Sequence, residues 1–229
     1  VPERMIMQLL FPEGGDCGIT ITANGVDYTY DYDPGDVWKT NNYTALTTTS
    51  LWTAPATADP FAAFKTVKDA IRSKTGDELT IAIMNTYTFN LMAATNAVKN
   101  RYLTTNGLSL GYLTDAEVKA IVEATSGLRI AIYDKQYKDE SGTAHSFVPN
   151  GYVCLIPAGN LGNTWYGTTP EEADLQGSDS AEVSIVNTGV AITRTIQDHP
   201  VNINTFASEI VLPSFERMDS VGVLKVVGE

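Results

Sequence analysis

Along this chain the spacing of apolar residues switches between helical and alternating, and each switch predicts an element. Val1 to Phe11 (VPERMIMQLLF) is largely apolar and reads as the last turns of a helix, closed by Pro12 and the Gly14-Gly15 pair. A helix this short is marginal alone, so the stump of a longer one is expected, and the start at Val1 instead of Met fits a removed amino-terminal part. From Ile19 to Asp33 the period is two. Ile19, Ile21 and Ala23 share a face with Val26, Tyr28, Tyr30 and Tyr32, while Thr20, Thr22, Asp27, Thr29, Asp31 and Asp33 take the other. Asn24-Gly25 supplies the pair a type I′ turn requires. The result is a hairpin with one apolar and one acidic side, which needs a partner surface because a lone hairpin is barely stable in water.

Thr40 to Asp59 is threonine-rich, weakly periodic and broken by Pro55, which predicts an extended connection and a boundary, with Trp52 as a packing anchor. Asp59 then caps a helix whose first residue is Pro60, whose apolar stripe is Phe61, Phe64, Val67 and Ile71, and whose stop is Gly76. Leu79 to Met84 reads as a short buried strand, followed by a helix from about Tyr87 to Arg101. Thr114 and Glu117 have capping-box spacing, with Leu113 and Val118 placed for a hydrophobic staple, and that helix ends at Ser126-Gly127.

Leu128 to Gly167 reads as a strand (Leu128 to Tyr133), a polar excursion with Gly142 at its tip, a Pro149-Asn150-Gly151 turn, a second strand (Tyr152 to Ile156) and an aromatic loop. Thr168 to Asp174 predicts a capped helical turn. Val183 to Ile196, Val201 to Leu212 and Val221 to Val227 predict strands. Strand, helices and strand in order from Leu79 to Tyr133 make a compact α/β unit.

Composition narrows the functional classes. Fifteen basic against 27 acidic residues give −12, which disfavours a phosphate-binding surface and hence a DNA or RNA reader. Cys17 and Cys154 lack the spacing of a disulfide framework or zinc site and read as buried small hydrophobes. There is neither a signal-peptide pattern nor an apolar run long enough to cross a bilayer, which predicts a protein of cytoplasmic origin without a membrane partner. Asp31, Asp33 and Asp36 are hard oxygen donors, but Gly35 falls a position too early for a calcium loop and no glutamate closes it. His145 lies in a glycine-containing loop and His199 beside Asp198, without a nucleophile elbow. Nucleotide-binding glycine motifs are missing, and Glu171 and Glu172 would diverge on a helix. No enzyme, cofactor or metal is proposed on these grounds. What remains is an inventory of tyrosines, tryptophans and aromatic loops of the kind contact surfaces use.

The order Ile132-Tyr133-Asp134, Tyr137, Phe147-Val148-Pro149-Asn150-Gly151, Val153 to Pro157 and Trp165-Tyr166-Gly167 resembles the major capsid proteins of tailed bacteriophages, the lambda-type capsid protein E family. The resemblance extends from Met5 to Asp33, through Trp52 with Asp59-Pro60 and the P-E-E-A-D-L run Pro170 to Leu175, to Pro200-Val201-Asn202, Leu212-Pro213 and Val221 to Val227. It implies an HK97-like capsid fold, α+β, with an axial α/β domain (59–186 with 214–229) and a peripheral domain (1–58 with 187–213) of spine-helix remnant and long antiparallel sheet. It also implies a virion subunit, assembled in the bacterial host cytoplasm. Copies would join as hexamers and pentamers into an icosahedral shell that encloses DNA, with scaffold and decoration proteins as further partners. The family's amino-terminal arm and extended loop are missing here, so a core that folds without closing shells is expected, with Thr40 to Asp59 as the adjustable segment. Subunit contacts are expected at Tyr137, Gly142, His145, Trp165 and Tyr166. A tail-tube or decoration protein is the alternative, and a carbohydrate-active hydrolase, using Asp31, Asp33 and Asp198, the outsider.

Overall fold

A computed structural model describes residues 2–23, 26–106, 113–139, 141–171, 173, 182–187, 189–198 and 201–228. The chain divides into two compact units, one of Glu3–Leu161 with Arg217–Glu229 and a smaller one of Gly162–Glu216 with Val1–Pro2.

The larger unit begins with α1 (Pro2–Leu10), whose Met5, Met7, Leu9 and Leu10 are buried. Gly14 and Gly15 end it in left-handed backbone, φ 68° and 86°. The hairpin strands β1 (Gly18–Ala23) and β2 (Val26–Asp31) pair in the alternating register, Ile19 opposite Tyr30 and Ile21 opposite Tyr28. Its Asn24-Gly25 turn lies outside the described residues.

The supposed connection from Thr40 is structured, which corrects the expectation. Helix α2 (Val37–Asn42) runs into it, β3 (Tyr43–Ala45) pairs in parallel with the last strand, and Trp52 is buried edge-on to Phe64 at 5.8 Å. Threonine-rich periodicity is weak here because an edge strand of three residues shows little alternation. Helix α3 (Pro60–Thr75) follows, its first N–H groups bonded to Asp59 and its end turned by Gly76. Then come β4 (Leu79–Met84), α4 (Thr86–Ala94) and α5 (Asn96–Asn106). The single helix expected over Tyr87 to Arg101 breaks at Thr95, whose N–H and hydroxyl both turn back to the Met92 carbonyl, while the Asn96 N–H is taken by the Pro55 carbonyl at 2.8 Å. Helix α6 (Asp115–Ser126) carries the full Thr114–Glu117 capping box and leads through Gly127 into β5 (Arg129–Ile132).

After β5 come β6 (Gln136–Lys138), β7 (Ala144–Ser146) and β8 (Tyr152–Pro157). In the smaller unit β9 (Thr164–Tyr166) is followed by β10 (Glu182–Asn187), β11 (Val190–Asp198), β12 (Val201–Glu209) and β13 (Val211–Pro213), and β14 (Gly222–Lys225) returns to the larger unit. The run expected as one strand over Val183 to Ile196 is two antiparallel strands, because Gly189 at φ 77° reverses the chain. A helical turn starts at Pro170, and most of its continuation lies outside the described residues.

The frame of the larger unit is a five-stranded sheet, β3-β14-β8-β4-β5, with the parallel pair β4–β5 joined through α4, α5 and α6. Ala82, Met84, Val153, Leu155 and Leu224 on one face join Phe64, Val67, Phe89, Met92 and Val122 from the helices in one core. Burial of this apolar surface is the main stabilising term. The two strands of the Leu128 to Gly167 stretch, β5 and β8, are thus core.

Candidate subunit-contact surface

The polar excursion after β5 folds as a small hairpin of β6 and β7, Tyr137 opposite His145. Their rings stack at 5.4 Å and 25°, Phe147 lies 5.1 Å from Tyr137, and the Arg4 guanidinium sits 4.8 Å from the Tyr137 ring centre. Asp139 organises the turn. Its carboxylate accepts from the Ser141 hydroxyl (2.6 Å) and the Thr143 N–H (2.8 Å) and lies 2.9 Å from His145 Nε2. The Ser141 bond, then the His145 ring, hold this carboxyl far below the usual carboxylate range. Gly142, at φ 83°, donates its N–H to the Asp139 carbonyl, a conformation that a side chain would strain. The residue types of a Ser-His-Asp triad are present, yet the serine donates to the aspartate, which is not the order of a triad. Beside the hairpin, Glu3 of α1 accepts from the Tyr133 hydroxyl and, at 2.9 Å, from Lys135. Between α1, β1 and this hairpin lies an open cleft of about 340 Å³, lined by Arg4, Phe11, Asp16, Tyr137 and Phe147 among others.

In the smaller unit Trp165 and Tyr166 lie on β9, Trp165 opposite Leu212 and Tyr166 opposite Val211 of β13. Trp165 is 63% exposed, and Tyr166 and Leu212 are exposed too. Gly189 is confined by its neighbours: a Cβ there would stand 2.7 Å from that of Tyr166. So Tyr137, Gly142 and His145 form one constellation, Trp165 and Tyr166 another, each in its own unit.

The acidic side of the first hairpin has a structural use. Asp33 accepts from the N–H groups of Val37 and Trp38 (3.0 Å each) and Lys39 (2.9 Å), so its carboxylate satisfies the start of α2. Among the described residues no three His, Cys, Asp or Glu side chains converge as metal ligands, and no helix is long and apolar enough to cross a membrane.

The sequence matches the phage major capsid protein E family over residues 2–225. The chain belongs to that family. The family is one of structural capsid subunits. No curated protein is similar enough in sequence to be matched. Among solved structures, the chain is similar to a crystal structure assigned as the capsid protein of a prophage in E. coli CFT073, with TM-score 0.68, 17% identity, and coverage of 98% of this chain and 62% of that one. It is also similar to a phage-related protein from Bordetella bronchiseptica RB50, with TM-score 0.54, 10% identity, and coverage of 97% of this chain and 60% of that one. The chain thus spans about three fifths of the length of either structure, 62% and 60%. At such identities the likeness is one of fold, a mixed helix-and-sheet architecture.

Several further exposed apolar residues were not among the contacts expected from the sequence. They are Ile196 (71%), Val201 (85%), Ile203 and Phe206, on β11 and β12, and Tyr28 and Tyr30 on the first hairpin. Alternation marked these as strand positions, with a partner surface expected for the hairpin and none named for the later strands. The signal available was β12 itself, which runs from Val201 to Ser208 without a charge or a proline.

Proposed function

We propose that this chain acts as a major capsid subunit, built on an HK97-like fold, whose copies join as hexamers and pentamers of an icosahedral shell around DNA. The observation that carries this reading is the family match over residues 2–225. In this reading residues 59–186 with 214–229 are axial and residues 1–58 with 187–213 peripheral. Tyr137, Gly142, His145, Trp165 and Tyr166 face neighbouring subunits. Support for those contacts is local: the exposed rings of His145 on the β6–β7 hairpin and of Trp165 and Tyr166 on β9 offer amphipathic area at low entropic cost. Scaffold and decoration proteins are further partners, and assembly takes place in the host cytoplasm before the shell becomes part of the virion. The DNA is held by enclosure, in keeping with a subunit of net charge −12.

Electron microscopy of the intact gene product tests this. Six-fold and five-fold capsomers or closed shells are the expected result. Stacked rings of one symmetry, as a tail tube would give, would overturn the reading. Trp165→Asp in the same background should reduce assembly while leaving the melting temperature within a few degrees; undiminished assembly would remove Trp165 from the contacts.

A further inference from the structure

The geometry points to β12 as a self-pairing edge: two copies of this chain join their Val201–Glu209 strands antiparallel, about Thr205, into one continuous sheet. The inference rests on the capsid-subunit reading and names one of its contacts. In the three-stranded sheet of the smaller unit the order is β10-β11-β12, so β12 has a partner on one side only among the described residues. Exposed edges are normally guarded by lysine, proline or a bulge, because their unpaired N–H and C=O groups recruit other chains. The opposite edge, β10, follows this rule with a bulge between Ile185 and Asn187. By contrast β12 holds nine successive pairs with β11 without a register shift. From Val201 to Ser208 it has neither charge nor proline.

Two hydrogen bonds fix which backbone groups face outward. The Ile210 N–H donates across the ladder to the Gly189 carbonyl, so even-numbered residues of this stretch bond towards β11. The Ile203 N–H instead takes the side chain of Asn202, at 2.9 Å, as an outward group without a strand partner would. Outward N–H and C=O groups therefore belong to Val201, Ile203, Thr205, Ala207 and Glu209. An antiparallel pair centred on Thr205 sets Ile203 opposite Ala207 and Val201 opposite Glu209, so every outward residue meets an outward residue.

Charge selects the same arrangement. Two chains of −12 repel wherever acids meet, and a neutral strand is where backbones can approach. A parallel in-register pair would stack Glu209 on Glu209, whereas the antiparallel one places it against Val201. The pairing also covers Val201 and Phe206, which are 85% and 56% exposed in the single chain.

Sedimentation velocity of the chain at rising concentration is the test, with three variants. Wild type is expected to dimerise. Thr205→Pro removes an outward N–H that the β11 ladder does not use, so the dimer should be lost with the melting temperature retained. Should that variant fail to fold, Thr205→Lys sets two ammonium groups face to face and should abolish the dimer equally. Thr205→Cys should oxidise to a disulfide-linked dimer, since facing residues of a hydrogen-bonded pair have Cα atoms about 5.5 Å apart. Asn204→Cys, displaced diagonally from its counterpart, should stay largely unlinked, and Cys17 and Cys154 are buried and give no background. A monomeric wild type, or equal cross-linking of the two cysteine variants, would overturn the inference. If folded Thr205→Pro protein dimerises and builds capsomers as wild type does, the inference fails and the capsid reading stands. A β12-dependent dimer from a gene product that never forms capsomers would leave the pairing and remove the capsid reading.

Discussion

Gly151 shows how far one residue can be constrained by its neighbours. It turns the chain from the Pro149-Asn150 pair into β8 at φ 78°, and a Cβ on it would stand 2.1 Å from a Val227 methyl carbon. Gly151→Ala therefore suffers both left-handed strain and a clash with a packed side chain, for a loss of about 2 kcal/mol or more. Urea unfolding measures it; an unchanged midpoint would refute the packing described. The two thiols make a second case. Burial, and then the nearby Asp33, push the Cys17 thiol up to about 12, and burial, then the Cys17 thiol, drive that of Cys154 up as well. Since thiolate is the reactive form, neither should alkylate with iodoacetamide at pH 8 in the native protein, while both should label in denaturant. Rapid native labelling of Cys154 would contradict its place in the central strand.

Elements here start and stop where short-range chemistry tells them to. Asp59 accepts from the N–H groups of Phe61 and Ala62 at 3.0 and 3.2 Å, and Pro60 presets the first turn. Asp59→Ala should cost about 1 kcal/mol, with Asp59→Ser recovering most of it. Denaturation midpoints of the pair decide this, and equal loss in both would mean that the side chain acts otherwise than as a cap. Caps of this kind were legible in the sequence because donor and acceptor sit within three residues of each other. The break at Thr95 was not. It depends on the Pro55 carbonyl, forty-one positions away in sequence, meeting the Asn96 N–H.

At the scale of the whole molecule, net charge and individual carboxylates pull in opposite directions as pH falls. Acidification relieves the repulsion that comes with −12. It also removes bonds made by depressed carboxyls such as Asp77, held below its ordinary 3.8 by the Ser220 hydroxyl first and the Arg217 guanidinium second. A carboxyl lowered in the folded state adds stability that is present above its unfolded pKa and is lost as pH falls through the folded one. The difference in melting temperature between wild type and Asp77→Asn should thus be constant from pH 7 to about 5 and close below about 4. A difference that widens on acidification would reverse the sign and refute the assignment. Arg217 explains why this bond matters to the larger unit: the same side chain reaches the carbonyls of Ala158 and Asn160, at 3.3 and 3.4 Å.

Periodicity and caps alone determined the hairpin register of Ile19 with Tyr30, the bounds of α3 and α6, and β4, β5 and β8, since each rests on contacts within a few residues or on one buried face. The family was legible as well, in the order of short motifs. Tertiary structure decided which strands are neighbours, because β14 enters between β3 and β8 from the far end of the chain. It decided too that the apolar residues of β12 face outward instead of into a core. A sequence records that Val201 and Ile203 are apolar; only the strand order says that no other strand of the described chain covers that edge.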